Sequence, residues 1–96
     1  MAEVLILEFP GVTQDQYMAV NKALGIDVTT GAGVWPGPLQ SHLAAQGDAG
    51  LVVVEVWDSQ AAQGEFMQRL GPALAEVGLP EPSRMEWLSL NGHYTG

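Results

Sequence analysis

The 96-residue chain contains no cysteine, so neither disulfides nor thiolate metal sites can staple it and cysteine catalysis is impossible. That excludes the disulfide scaffolds of small secreted domains and the zinc ribbons, and it fits a reducing compartment. Basic residues are nearly as scarce. Three of them face eleven acids, for a formal net charge of −8. Such a surface repels phosphate backbones and anionic lipid, so no nucleic acid and no membrane is expected as a partner. Long hydrophobic runs are missing too. The longest aliphatic stretches, residues 4–7 and 51–54, are far too short to span a bilayer. The start of the chain has neither the basic region nor the apolar stretch of a signal peptide, and the expectation is a soluble, cytoplasmic protein. Histidine occurs only at positions 42 and 93, with no nucleophile elbow, so there is no Ser-His-Asp case to make. Gly31-Ala32-Gly33 lacks a following Lys-Ser/Thr and is not a phosphate loop.

What is present is a core. Hydrophobic residues make up 47% of the chain and charged ones only 15%, the reverse of a disordered composition. The length allows a single domain over residues 1–96. Residues 3–9 read as a strand stopped by Pro10-Gly11. Thr13 and Gln16 form a capping box for a first helix, which carries Tyr17, Val20 and Leu24 at helical spacing and is closed by Gly25. Residues 26–38 are a long Gly- and Pro-rich loop, and loops of this length are often lids. Residues 39–45 read as a second strand, with Leu39 and Leu43 on one side and Gln40 and His42 on the other. The valine-rich residues 51–57 are the strongest strand. Asp58-Ser59 caps a second helix with the apolar stripe Ala62, Phe66, Leu70, Leu74 and Val77; Gly71-Pro72 predicts a kink or restart within it and Gly78 ends it. Residues 85–91 are the fourth strand and 92–96 a tail.

The order βαββαβ predicts a ferredoxin-like α+β fold, a four-stranded antiparallel sheet with two helices on one face. Val52, Val54 and Val56 suit the helices, with Leu51, Val53, Glu55 and Trp57 opposite. The face away from the helices is then largely apolar as well. Two helices cannot cover both faces, so a two-fold homodimer is expected to bury the second.

The stretch from Leu51 through Val-Val-Val-Glu-Val-Trp57-Asp-Ser-Gln-Ala-Ala-Gln-Gly-Glu to Phe66 resembles the strand-to-helix segment of the antibiotic-biosynthesis-monooxygenase-like (ABM) family of the dimeric α/β-barrel superfamily. Length and element order match over essentially the whole chain. The resemblance implies a dimeric α/β barrel and a cofactor-independent monooxygenase or related enzyme, acting on a hydrophobic aromatic substrate in a barrel-side pocket. Trp57 falls on the tryptophan that haem-degrading and quinol-oxidising relatives place in that pocket. Haem degraders also use an Asn on the first strand and a His on the second helix. Here the first strand offers Ile6, Leu7 and Glu8, and the second helix has no histidine. Of the pocket Asn, Trp, Tyr and Arg of the quinol monooxygenases, only Trp57 maps, although Arg84 stands at the start of the fourth strand.

Alternation along the strands places few polar residues on the barrel side: Glu8, His42, Glu55 and, near the end, Ser89 and Asn91. The strand order expected of this fold brings Glu8, His42 and Glu55 together. A carboxylate beside an imidazole fixes its tautomer and makes it a good general base, so these three are the candidate catalytic residues. Read structurally, the same three simply pair with one another or meet water at the rim. Trp57, Trp87, Trp35 and Tyr17 are candidates to line an apolar pocket between sheet and helix, and Tyr17 and Asn21, four apart on the first helix, share a face. One imidazole and two carboxylates can ligate a divalent ion, but no ligand spacing supports it; neither metal nor cofactor is expected. The alternatives to an enzyme are a non-catalytic dimer that binds a hydrophobic small molecule and a purely structural dimer of the same fold.

Overall fold

The computed structural model describes residues 2–94. These form β1 (Glu3–Pro10), α1 (Gln14–Leu24), β2 (Leu39–Gln46), β3 (Gly50–Trp57), α2 (Gln60–Val77) and β4 (Arg84–Ser89), the expected order. All strand pairs are antiparallel, in the spatial order β2-β3-β1-β4 of a ferredoxin-like sheet. Thr95 and Gly96 of the tail lie outside the described residues.

The caps are where the sequence puts them. Thr13 and Gln16 complete a reciprocal capping box, Ser59 accepts from the Ala62 N–H, and Gly25 and Gly78 end their helices in the left-handed conformation. At Pro72 the expected restart does not occur: α2 is one helix from Gln60 to Val77. An interior proline costs roughly 3 kcal/mol. Here the apolar stripe on either side of it, including half-buried Phe66 and Leu70 and buried Ala73, is anchored under the sheet and offsets that cost.

The second correction concerns which face is which. The core is built on Leu5, Leu7 and Phe9 of β1 and Leu51, Val53 and Trp57 of β3, against Tyr17, Ala62 and Phe66 from the helices. The register pairs Leu5 with Glu55, Leu7 with Val53 and Phe9 with Leu51, so these side chains share the helix-facing side. Val52, Val54 and Val56, expected under the helices, occupy the open face with Val4, Ile6 and Glu8. The larger side chains win the enclosed side because they remove more apolar surface from water, roughly 1.5–3 kcal/mol for each large aliphatic. Trp57 and Leu5 reach 0% exposure.

A third correction lies in β2. The register steps from Leu39 opposite Trp57 to Ser41 opposite Val56, a bulge at Gln40. It puts Leu39 on the helix side, against the core, while Leu43 stands out on the open face at 55% exposure. Beyond the bulge His42 stands opposite Glu55 on the helix side.

The 26–38 loop is tied down rather than free. Ile26 bridges Gly33, and Asp27 accepts from the N–H groups of Thr29 and Thr30, which hold its carboxyl below the usual carboxylate range. Arg69 of α2 donates to the carbonyls of Leu24 and Val34 at 3.2 and 3.1 Å. Gly33 has φ 110°, and a Cβ there would collide with the Gly25 carbonyl and the Ile26 Cα. Gly33→Ala is therefore expected to destabilise the fold by more than ~1 kcal/mol, read as a lowered denaturant midpoint, and to alter tryptophan emission through Trp35. An unchanged midpoint and spectrum would show that the loop re-forms without this contact.

Candidate functional site

Four side chains from α1, β2 and β3 form one hydrogen-bonded line. The Tyr17 hydroxyl lies 2.6 Å from His42 Nε2, His42 Nδ1 lies 2.7 Å from Glu55 Oε2, and the Trp57 indole N–H donates to Glu55 Oε1 at 2.9 Å. An indole nitrogen only donates, so one carboxylate oxygen is committed to accepting. With Glu55 ionised, the other oxygen accepts from Nδ1–H, and Nε2 is left to accept the tyrosine O–H. The line is largely sealed: Glu55 is 7% exposed and Trp57 not at all. The Tyr17 and His42 rings are nearly parallel, and the Trp35 ring leans over His42 from the loop side at 5.6 Å between centroids.

The line ends at a cavity of about 60 Å³ between sheet and helices. Among the described residues its polar lining groups are Tyr17, Asn21, His42 and Glu55, all at one end; Leu7, Phe9, Leu70, Leu74 and Leu79 are among those that close the other. His42 also borders an outer cleft with Gly31, Trp35 and Ser41, so its ring stands between the cavity and the surface. Beyond Leu70, Leu74 and Leu79 an apolar groove of about 580 Å³ runs to Met67 and Met85. Those three leucines, with Leu7 and Phe9 of β1, line both spaces and form the partition between them.

Whereas the catalytic candidates were expected on the face away from the helices, the cavity lies between sheet and helices. His42 and Glu55 meet there, and Tyr17 and Asn21 join them. Glu8 does not. It points to the open face and pairs with Arg84 at 2.8 Å, because position 8 has the opposite strand parity to position 55 across the register. Arg84 is held by Glu8 and Glu86 and offers no guanidinium to the cavity. Trp57 does not line the cavity; it lies behind Glu55 and positions it. Trp87, in the same cross-strand row as Leu5 and Glu55, packs on the core without reaching the cavity. Ser89 is exposed at the end of β4, and Asn91 lies beyond it. Two features had no sequence signal beyond rarity: Arg69, one of three basic residues, as the tie across the loop, and the leucine partition. No cluster of three or more His, Cys, Asp or Glu side chains able to hold a metal occurs among the described residues.

No family model and no curated protein matches the chain. Solved structures do. A candidate antibiotic biosynthesis monooxygenase from Chloroflexus aurantiacus superposes with a TM-score of 0.65 at 18% identity, over all of both chains. The protein Rv0793 of Mycobacterium tuberculosis gives 0.59 at 21% identity, over 98% of each. The chain has the antibiotic-biosynthesis-monooxygenase-like fold. At these identities the likeness fixes the ABM-like arrangement of strands and helices, and the chemistry rests on the site itself.

Tyr17 holds its phenolic proton more tightly than a free tyrosine does. Burial foremost, and the Glu55 charge, push its phenol above the ordinary value near 10, while the neighbouring Asn21 amide draws it partly back. The folded chain thus holds this proton more tightly than the unfolded chain does. The contribution to stability is fully present below ~10 and is lost as pH rises through the higher folded-state value. Ultraviolet titration is expected to show a late tyrosine ionisation that Tyr17→Phe removes; persistence of that component in the variant would refute the assignment.

Proposed function

We propose that the protein is a small-molecule enzyme that performs general acid–base catalysis on a neutral, hydrophobic substrate in the cavity between sheet and helices. The observation that carries this reading is the Tyr17–His42–Glu55 line ending at an otherwise apolar cavity. Tyr17 takes a proton from the substrate and passes its own to His42 Nε2. The imidazolium so formed is stabilised by Glu55, which Trp57 holds in place. One proton moves, and the charge left on the substrate is balanced inside the line. In reverse, Tyr17 is the general acid. His42, bordering the outer cleft, returns the proton to solvent under the Trp35 loop.

The monooxygenase-like reading fits as the first half of a reaction. Deprotonation makes an electron-rich anion, and a cofactor-independent oxygenase passes such an anion's electrons to dioxygen. The cavity bears on the aromatic substrate expected from the resemblance. At about 60 Å³ it is smaller than the roughly 150 Å³ space that admits benzene. A ring reaches Tyr17 once Leu70 and Leu74 turn aside and join the cavity to the outer groove.

The test is catalysed hydrogen–deuterium exchange in heavy water, followed by NMR over a panel of hydrophobic carbon acids. His42→Asn keeps a donor toward Glu55 where Nδ1 stands, so the fold survives. It and Tyr17→Phe are expected to lose exchange about 100-fold or more while ligand affinity changes little. Binding without exchange in the parent protein would make it a binding protein instead.

We also propose that the open sheet face, with Val4, Ile6, Leu43, Val52, Val54 and Leu88, pairs with the same face of a second copy. Sedimentation at micromolar concentration is expected to give twice the 10.2 kDa chain mass, and Leu43→Glu with Leu88→Glu to give the monomer. A monomeric parent would refute the pairing.

A further inference from the structure

Asn21 is 4% exposed, lines the cavity beside Tyr17, and its Nδ2 has no hydrogen-bond partner. Among the described residues no other fully enclosed side-chain nitrogen or oxygen is left unpaired. The amide leans on the Tyr17 phenol closely enough to lower that group's pKa, but off good hydrogen-bond geometry, and a primary amide has a second N–H to offer. A buried donor without an acceptor is costly, and a folded chain seldom keeps one without a use for it. The other polar groups at this end are already engaged: Tyr17 with His42, His42 with Glu55, and Glu55 with Trp57. The site therefore presents an amide with N–H capacity to spare at its polar end and mostly hydrocarbon elsewhere.

We propose that Asn21 Nδ2 receives a carbonyl oxygen of the ligand, so that the substrates are neutral, apolar carbonyl compounds seated oxygen-first against Asn21. This rests on the acid–base reading of the same cavity and narrows its substrate class. Charge selects the neutral carbonyl over a carboxylate. No Lys or Arg lines the cavity or the groove beyond it, Glu55 lies within reach, and the chain as a whole carries −8. Size selects the shape. A space of about 60 Å³ takes a carbonyl and the few carbons around it, and a longer hydrocarbon part must pass Leu70 and Leu74 into the groove. With its oxygen on Asn21, the carbon next to the carbonyl lies toward Tyr17. A proton leaving that carbon goes to the tyrosine oxygen, and the electron pair it leaves is drawn onto the oxygen that Asn21 holds, as an enolate.

The test uses two probes of equal shape, 2-octanone and 2-methyl-1-octene, which differ in the acceptor oxygen. The ¹⁵N–¹H signals of the Asn21 side-chain amide are followed by NMR. The ketone is expected to move them and to bind the parent protein about tenfold or more tightly than the alkene, a preference that Asn21→Leu abolishes. Asn21→Leu should also raise the melting temperature of the free protein, since it removes the unpaired donor. Equal binding of both probes with an unmoved amide would overturn the carbonyl assignment and leave the cavity as a site. Binding of neither at millimolar concentration would overturn both. A lowered melting temperature in Asn21→Leu, with no ketone preference in the parent, would show that the amide serves only a structural water. The parent protein's amide signals decide the matter even if the variant fails to fold.

Discussion

Removing a carboxylate from water costs several kcal/mol unless its oxygens are satisfied, and Glu55 is placed where both are. It sits on the central strand β3, at the same level as fully buried Leu5, with His42 on one oxygen and Trp57 on the other. Both partners are fixed by the sheet. Trp57 is two residues along the same strand face, and His42 is the direct cross-strand neighbour. The site is therefore a property of the register. A slip of one residue between β2 and β3 would send the imidazole to the open face and leave Glu55 buried with an unpaired oxygen. Such a network is all-or-nothing, because the low dielectric that strengthens its bonds also raises the cost of losing one.

The strand elements, both helix caps and the element order were legible because they rest on local chemistry: the Thr13–Gln16 box, the Gly25 and Gly78 stops, and the run of valines in β3. The pairing of His42 with Glu55 was legible too, since both the strand neighbourhood and the residue types pointed to it. The sidedness was not. Both faces of β1 and β3 read as apolar, and alternation alone cannot say which of two apolar faces the helices cover. The volumes of Leu5, Leu51 and Trp57 decide that, and volume acts only once the helices are packed. The same ambiguity carried Glu8 into the candidate set. The bulge at Gln40 was equally silent, since nothing in Leu39-Gln40-Ser41 distinguishes a bulge from regular alternation. Pro72 shows the reverse case for a restart: its local signal was strong, and one helix nevertheless runs through it.

Cations divide the structure between support and chemistry. Arg69 spans from α2 to the loop, with its guanidinium near the Phe66 ring. Arg84 is bound to Glu8 and Glu86 on the open face, and Lys22 is exposed in the last turn of α1, where a positive charge suits the helix end. With all three placed elsewhere, no Lys or Arg lines the cavity. On the acid–base reading proposed above, the excess of acids would bear on specificity as well as on solubility: the interior would admit neutral molecules, and Glu55, the one buried carboxylate among the described residues, would steady a transient imidazolium.

The two faces of the sheet then have separable roles. The helix side carries the larger core residues, the hydrogen-bonded line of Tyr17, His42 and Glu55, and the cavity. The open side carries smaller aliphatics with an ionic rim at Glu8, Arg84 and Glu86. The proposed second copy would cover that open side without entering the cavity, so pairing would stabilise the strands from behind while the hydrogen-bonded line faces inward. This matters for a chain of 96 residues, where a small core limits how rigidly a site can be held. Proton transfer depends on spacings of the kind seen between Tyr17, His42 and Glu55, and stiffening β1 and β3 from their open face is the most direct way to keep them.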